Sequence, residues 1–278
     1  MKTLQPVLVT DLFPGERARL LNVLSGLSDD LWRRPTVCPG WSVKDIALHL
    51  LGGDIGVLSR KRDGFQGTVA SRENSSKAGL VERVNQLNEE WIVATRRTSP
   101  RPLCELLRFT GEATSAYFKS LDPMARGETV SWAGPEPAPR WLDTAREYTE
   151  RWHHQQHIRD AVGEPGLKSP RWFGPVLDTF VRAVPHTFRD VRATNGTLLR
   201  LKIAGDSGGE WFVERLEDSW LLGIEADSRP DAEVSIDQEV AWRLFTKGFS
   251  KEDAMKSATF AGDRKLAQKI LDVVSIIA

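Results

Sequence analysis

The segment Glu-Arg-Trp-His-His-Gln-Gln-His, residues 150–157, contains three of the five histidines of the chain. Residues three or four positions apart share one face of an α-helix, so Glu150, His154 and His157 are predicted to project to one side. His153 lies close beside them. This face combines a carboxylate with imidazoles, which are donors of many metal sites. A solvated polar face with fortuitous histidines explains the segment equally well, so a distant partner is needed to decide.

The opposite face of the same predicted helix is largely aromatic. Its side chains recur at helical spacing and are those of Trp141, Ala145, Tyr148 and Trp152. A helix with donors on one face and an aromatic stripe on the other suits an element packed between a site and a second surface. The helix is predicted to end near Val162, because Gly163 and Pro165 follow it.

A candidate partner, His49, lies in another predicted helix. Ser42 and Asp45, three residues apart, predict a capping box at the start of that helix. The predicted buried stripe consists of Val43, Ile46, Ala47, Leu50 and Leu51, and His49 falls within it. A lone histidine there is more often a core residue whose ring nitrogens are satisfied. The face that carries Glu150 gives His49 an alternative role as a metal ligand.

The first part of the chain, residues 1–166, predicts four or five helices, which are the material of an antiparallel bundle. The predicted helices cover residues 11–25, 43–51, 80–98 and 103–121, followed by the helix that ends near residue 162. Two segments, 63–77 and 122–140, are punctuated by glycine, proline, serine or charge and are predicted to be loops.

The second part, residues 167–278, predicts a small α+β domain. Short β-rich runs at 197–204, 210–217, 220–225 and 232–236 are separated by turn signals. A helix is predicted before them over 172–189, and two more follow over 238–246 and 263–277. The predicted fold class is therefore α plus α+β, with a domain boundary at residue 166.

Charge and composition exclude several classes of function. Lys plus Arg and Asp plus Glu balance at 38 each among 278 residues, and no run of basic residues stands out. The sequence therefore lacks the positive charge that would attract nucleic acid. No apolar run approaches the ~20 residues of a membrane-spanning helix, and the first residues lack the apolar core of a signal peptide. The two cysteines, Cys38 and Cys104, do not make a disulfide framework. These features predict a cytoplasmic protein without a nucleic-acid or membrane partner.

Three stretches carry a family resemblance. They are Pro-Thr-Val-Cys-Pro-Gly-Trp-Ser-Val-Lys-Asp-Ile-Ala-Leu-His-Leu at 35–50, Glu150-x-x-x-His154, and Ala-Trp-Arg-Leu-Phe-Thr-Lys-Gly at 241–248. Together they resemble the mycothiol-dependent maleylpyruvate isomerase family, and the resemblance covers nearly the whole chain. It implies a DinB-like four-helix bundle followed by a small sterol-carrier-like α+β domain.

The resemblance also implies a divalent metal, usually zinc, held by His49, Glu150 and His154. It selects His154 over His153 and leaves His157 behind the ligands or on the surface. Two imidazoles and one carboxylate are a common catalytic zinc set, which leaves a fourth position open for water or substrate. A thiol bound to such a metal ionises near neutral pH. Family members use this property to present mycothiol to an electrophile.

The expected function is that of a zinc-dependent thiol transferase or isomerase. The expected cosubstrate is mycothiol or a similar low-molecular-weight thiol, the substrate is a small electrophile, and the protein is expected to be a monomer or a homodimer. Cys38 is a competing nucleophile, but it lies in a Pro/Gly-rich turn with no basic neighbour to lower its pKa. Cys104 has apolar neighbours and is expected to serve packing.

The chain departs from the family in its C-terminal part. Isomerases of the family carry a functional arginine in a Thr-Gly-Arg run, where this chain has Thr246-Lys247-Gly248. Arg243 and Lys247 are therefore the candidate catalytic residues that would hold an anionic part of the substrate. Ordinary solvated helix charges are the alternative interpretation.

Two other functions remain open from the sequence. The same three ligands would serve a metal-dependent hydrolase that uses zinc hydroxide at the open position. The other hypothesis is a non-catalytic protein that holds an apolar small molecule in its C-terminal domain. A preparation without stoichiometric metal would favour this hypothesis.

Overall fold

The computed structural model describes residues 1–65 and 77–276. Most of the loop predicted over 63–77 therefore lies outside the described residues. In the described residues, helices dominate up to residue 189 and strands dominate after it. The predicted fold class, a helical bundle followed by a small α+β domain, is confirmed.

The chain forms two compact units. The first, called here the helical unit, consists of Val9–Asp122 and Glu147–Leu167. The second, the sheet unit, consists of Met1–Leu8, Pro123–Arg146 and the described residues from Lys168 onward. A domain boundary at residue 166 stays a prediction.

Six α-helices contribute to the described part of the helical unit, and a π-helix, Val57–Arg62, follows the third of them. The α-helices are α1 (Phe13–Ser25), α2 (Asp29–Trp32), α3 (Val43–Gly56), α4 (Lys77–Thr95), α5 (Pro100–Lys119) and, from Glu147 onward, α6 (Arg140–Val162). The helices predicted over 11–25, 80–98 and 103–121 are present within a few residues of their expected bounds, and α6 ends at Val162 as predicted. The helix predicted over 43–51 continues to Gly56. No helix in the described part of the chain is both long and apolar enough to span a membrane.

The start of α3 shows why this segment is helical. The Ser42 hydroxyl accepts a hydrogen bond from the Asp45 backbone N–H, and the Asp45 carboxylate accepts one from the Ser42 backbone N–H. The predicted capping box is therefore confirmed, and it satisfies two backbone donors that the helix itself leaves unpaired. Val43, Ile46 and Ala47 are then fully buried in the core of the unit.

A buried ion cluster joins four helices of the helical unit. Asp54 of α3 has no exposed surface, and its carboxylate accepts hydrogen bonds from Arg17 of α1 at 2.7 Å and from Arg151 of α6 at 2.9 Å. The Thr110 hydroxyl of α5 donates a third at 2.8 Å. Burial alone would raise the pKa of Asp54, but the two guanidinium groups lower it, so the carboxylate is ionised at neutral pH.

The sheet unit is built on a six-stranded mixed sheet with the order β1-β6-β5-β4-β7-β8. The strands of the unit are β1 (Lys2–Thr3), β2 (Arg126–Thr129), β3 (Pro137–Pro139), β4 (Leu198–Ala204), β5 (Gly209–Leu216), β6 (Ser219–Glu225), β7 (Ala232–Asp237) and β8 (Thr259–Gly262). Strands β4 and β7 pair in parallel, and the other neighbours in the sheet are antiparallel. All four predicted β-rich runs are strands, within one residue of their expected bounds.

The helices of the sheet unit are shorter than the sequence predicts. They are α7 (Pro170–Phe180), α8 (Val184–Phe188), α9 (Gln238–Phe245), α10 (Lys251–Ser257) and α11 (Arg264–Gln268). The prediction of a single helix over 172–189 is wrong, because a 3₁₀ turn at Val181–Ala183 separates α7 from α8. Pro185 has no backbone N–H to continue the α-helical hydrogen bonds across this point.

Two further expectations need correction. The helix predicted over 263–277 leaves the α-conformation after Gln268 and ends in a 3₁₀ turn, Lys269–Asp272. Its predicted last residue lies outside the described residues. The predicted loop over 122–140 contains the short β2–β3 hairpin, in which Arg126 pairs with Pro139. Proline is tolerated there because a short edge strand does not need every backbone donor.

The ion cluster predicts a large stability effect. Asp54→Ala would leave two buried guanidinium groups without their shared carboxylate, so the free energy of unfolding should fall by ~3–5 kcal/mol. Denaturant unfolding monitored by circular dichroism measures this change. The matched control is Asp30→Ala, which removes an exposed partner of Arg33 and should change stability little. Similar losses in both variants would contradict the structural role of the cluster.

Candidate metal centre

Helices α3 and α6 bring together the three residues that the sequence selects as metal ligands. His49 Nε2 lies 3.2 Å from Glu150 Oε1, and His154 Nε2 lies 3.1 Å from the same oxygen. One donor atom from each residue lies within 4.8 Å of the other two. Glu150 Oε1 thus lies at hydrogen-bonding distance from both imidazoles.

The position of the trio follows from the packing of α3 on α6. The Asp54–Arg151 ion pair joins these two helices. On α3, Asp54 lies five residues after His49, and on α6, Arg151 directly follows Glu150. Neighbouring residues of a helix point about 100° apart. Arg151 therefore reaches the buried ion cluster while Glu150 faces His49.

The distances are compatible with a tetrahedral zinc site. Zinc to nitrogen or oxygen bonds of about 2.0–2.1 Å place tetrahedral ligand atoms roughly 3.3 Å apart. In the structure, Glu150 Oε1 lies 3.2 Å from His49 Nε2 and 3.1 Å from His154 Nε2. The same separations suit hydrogen bonds in which each imidazole N–H donates to the carboxylate. A divalent cation would bind the other tautomer of each ring, in which the proton is on Nδ1 and the lone pair of Nε2 is free for the ion.

The electrostatics of the site favour the forms of these side chains that bind metals. Burial lowers the pKa of His154 to about 3, and it also lowers the pKa of His153. Burial would raise the pKa of Glu150, but the adjacent imidazoles hold it well below its usual range. At neutral pH the site therefore presents the carboxylate of Glu150 beside the neutral imidazoles of His153 and His154.

His153 and His154 differ in what their nitrogens contact. His153 Nδ1 lies 3.0 Å from the backbone oxygen of Thr149 and donates to it, and it is 3.9 Å from Glu150 Oε2. His154 uses Nε2 toward Glu150, and its buried Nδ1 has no hydrogen-bond partner among the described residues. The geometry therefore favours His154 over His153 as the ligand.

Trp41 is a site residue that the sequence analysis missed. Its ring centre lies 5.1 Å from that of His49 and 6.5 Å from that of His154. The indole N–H points toward Glu89 Oε2 at 3.4 Å. Trp41 therefore covers one side of the trio with an apolar surface. The signal in the sequence is its place in the turn that leads directly into the cap of α3.

Cys38 has a histidine neighbour that the sequence analysis did not identify. Its Sγ lies 3.3 Å from Nδ1 of His157, which comes from α6 and is far away in sequence. His157 is half-buried and contacts Cys38 on the same side of the helix as Glu150. Burial nevertheless raises the pKa of Cys38 to about 11, so the thiol stays protonated at neutral pH. The spacing of His157 from Glu150 could have identified its face, but not this contact.

A family model described as the mycothiol maleylpyruvate isomerase N-terminal domain matches residues 13–159, which is more than half of the chain. The chain belongs to this family. The match includes all three residues of the candidate metal site.

Two crystal structures of a mycothiol-dependent maleylpyruvate isomerase share the fold of this family member. One is of a histidine-to-alanine mutant, with 13% sequence identity and a TM-score of 0.52. The other has 14% identity and the same TM-score of 0.52. In both cases 91% of each chain is covered, which extends the shared fold beyond the matched domain. No curated protein sequence matches the chain significantly.

Arg243 and Lys247, the candidate catalytic residues of this isomerase family member, lie in the sheet unit. The Arg243 guanidinium pairs with Glu239 Oε2 at 2.6 Å within α9, and it lies 4.4 Å from the centre of the Trp242 ring. Lys247 is exposed just after α9 and has a positive φ of 62°. The structure thus gives Arg243 an acidic partner on its own helix. The role of both residues stays a proposal.

The choice among neighbouring histidines can be tested directly. His154→Ala should abolish binding of zinc, because it removes a nitrogen at 3.1 Å from the shared carboxylate oxygen. His153→Ala should weaken binding by at most ~10–100-fold, the usual effect of a residue that only supports a ligand. Zinc per protein after dialysis, together with calorimetric titration, measures both. Equal loss of zinc in the two variants would refute the assignment.

Proposed function

We propose that the chain is a metal-dependent thiol transferase or isomerase. A divalent cation, most suitably zinc, would be held by His49, Glu150 and His154. The cosubstrate would be mycothiol or a similar low-molecular-weight thiol, and the substrate a small electrophile. The observation that carries the proposal is the carboxylate oxygen of Glu150 between two imidazole nitrogens, in a family named for its mycothiol dependence.

The number of donors supports catalysis over a structural role. Three protein ligands leave one position of a tetrahedral zinc ion open, whereas structural zinc sites are closed by four. The ion would supply a centre at which a bound thiol loses its proton near neutral pH. The family membership makes mycothiol the first thiol to test.

The residues of the chain would prepare this position in different ways. Glu150 contributes the negative charge that offsets the cation, because its pKa lies well below the usual range and it stays ionised. His154, whose pKa burial lowers to about 3, offers an unprotonated nitrogen. Trp41 shields one side of the trio from water by its contacts with both rings. Lower water content strengthens electrostatic interactions within such a site.

The same geometry argues against Cys38 as the nucleophile. A reactive cysteine is a thiolate at neutral pH, usually because positive charge lowers its pKa. Burial instead raises the pKa of Cys38 to about 11. The nucleophile would therefore come from the external thiol.

Metal dependence is the first functional test. Removing metal with a chelator should abolish thiol conjugation of a reactive electrophile, and added zinc should restore it. His49→Ala should lower kcat/KM by more than the ~10–100-fold typical of residues that only support a ligand. The matched control is His186→Ala, because His186 is a histidine of the sheet unit and should leave kcat/KM unchanged.

The outcomes of this test separate the candidate functions. Metal-dependent turnover that needs no thiol would identify a hydrolase instead. Unchanged conjugation after chelation would refute the proposed function. A protein that binds no stoichiometric metal and turns over no substrate would fit the non-catalytic, small-molecule-binding alternative.

We further propose that Arg243 and Lys247 hold an anionic group of the substrate. A charge-assisted hydrogen bond contributes about 1.5–3 kcal/mol, so Arg243→Ala or Lys247→Ala should raise KM for an anionic electrophile by ~10–100-fold. KM for a neutral electrophile should stay the same, which makes the neutral substrate the internal control. An equal effect on both substrates would show a structural role for the residue.

A further inference from the structure

A second cluster of donors lies beside the proposed metal site and is centred on Cys38. The turn that carries this residue is held by its own hydrogen bonds. Trp41 N–H donates to the Cys38 carbonyl at 3.0 Å, and Cys38 N–H donates to the Thr36 hydroxyl at 3.2 Å. The backbone N–H of Thr36 donates back to Trp41 at 3.0 Å. The thiol is therefore presented to α6 from a fixed position.

The donor separations of this cluster fit a metal ion. Cys38 Sγ lies 3.3 Å from His157 Nδ1. A ring nitrogen of His154 lies within 4.8 Å of Cys38 Sγ and of a ring nitrogen of His157. Zinc bonds of about 2.3 Å to sulfur and 2.0–2.1 Å to nitrogen place tetrahedral sulfur and nitrogen ligands roughly 3.5 Å apart. The Cys38–His157 separation is close to that value.

Nδ1 of His154 independently indicates that a ligand binds beside Cys38 and His157. His154 is 8% exposed, and its Nε2 faces Glu150. Its Nδ1 is buried without a hydrogen-bond partner among the described residues. A buried nitrogen without a partner is unfavourable unless a hydrogen bond or a metal ion satisfies it. A cation held with Cys38 and His157 would satisfy a nitrogen of this ring.

We propose that Cys38, His154 and His157 form a second metal position, which takes a soft divalent cation such as Cd²⁺ or Zn²⁺ and shares His154 with the first position. One thiolate and two imidazoles are softer donors than two imidazoles and one carboxylate, so a thiophilic ion prefers this set. Binding breaks the S–H bond of Cys38, releases the proton to solvent and forms a metal–sulfur bond. The position needs neither His49 nor Glu150 nor an external thiol, and so goes beyond the proposed function.

Cadmium titration of the full chain without added thiol tests this position. Wild-type protein should develop the ultraviolet charge-transfer absorption of a cadmium–thiolate bond at one equivalent. Cys38→Ser should abolish that absorption, and the matched control Cys104→Ser should retain it. His157→Ala should weaken Cd²⁺ binding by more than ~10–100-fold, since it removes a ligand and not a supporting residue. Absence of the band in wild type, or its persistence in Cys38→Ser, would overturn the proposal.

Two further arms keep the test independent of the first metal position and of misfolding. His49→Ala removes a ligand of the first position only and should keep the cadmium–thiolate band, even if the proposed enzymatic function is wrong. In unmutated protein, Cd²⁺ should slow alkylation of Cys38 by iodoacetamide and leave that of Cys104 unchanged, as read by peptide mass spectrometry. Equal alkylation of Cys38 with and without Cd²⁺ would overturn the proposal. Loss of the cadmium–thiolate band in His49→Ala protein, when circular dichroism shows that this variant is folded, would also overturn it.

Discussion

The carboxylate of Asp54, fully buried between the guanidinium groups of Arg17 and Arg151, constrains the helical unit most strongly. Removing three charged groups from water costs several kcal/mol for each ion, and only close pairing offsets that cost. A shift of α1, α3 or α6 by one turn would move Asp54 about 5.4 Å away from one or both of its guanidinium partners and leave its buried charge less well compensated. The cluster therefore favours one register of these helices.

This register is what assembles the candidate metal centre. Asp54 and His49 lie on α3, and Arg151 and Glu150 lie on α6, so the same two helices provide both the structural pair and the donor pair. Adjacent residues of α6 thus have different tasks, because they point in different directions around the helix axis. The site is held by long secondary-structure elements, which position side chains more accurately than loops do.

The sheet unit balances its charges differently. The Glu239 carboxylate accepts hydrogen bonds from Lys168 at 2.7 Å, Arg243 at 2.6 Å and the Trp242 indole N–H at 3.2 Å. These contacts lower the pKa of Glu239 against the effect of burial, so it remains ionised at neutral pH. An anionic substrate group that binds Arg243 would share the guanidinium with this carboxylate. Such sharing would reduce affinity for the anion while keeping the guanidinium oriented.

Local patterns in the sequence determined the helices of the bundle, the four central strands and the cap of α3, because each depends on neighbours within a few residues. They also determined that Glu150 and His154 share a helix face. The tertiary structure alone decided that Trp41 covers the trio and that Cys38 meets His157, 119 residues away. The sequence left His49 with two possible roles, a core histidine or the partner of Glu150, 101 residues away, and the family resemblance selected the second. The packing of α3 on α6 brings the two residues together. Hydrophobic periodicity states which face of a helix is buried but not which residue it meets, since that depends on contacts between distant segments.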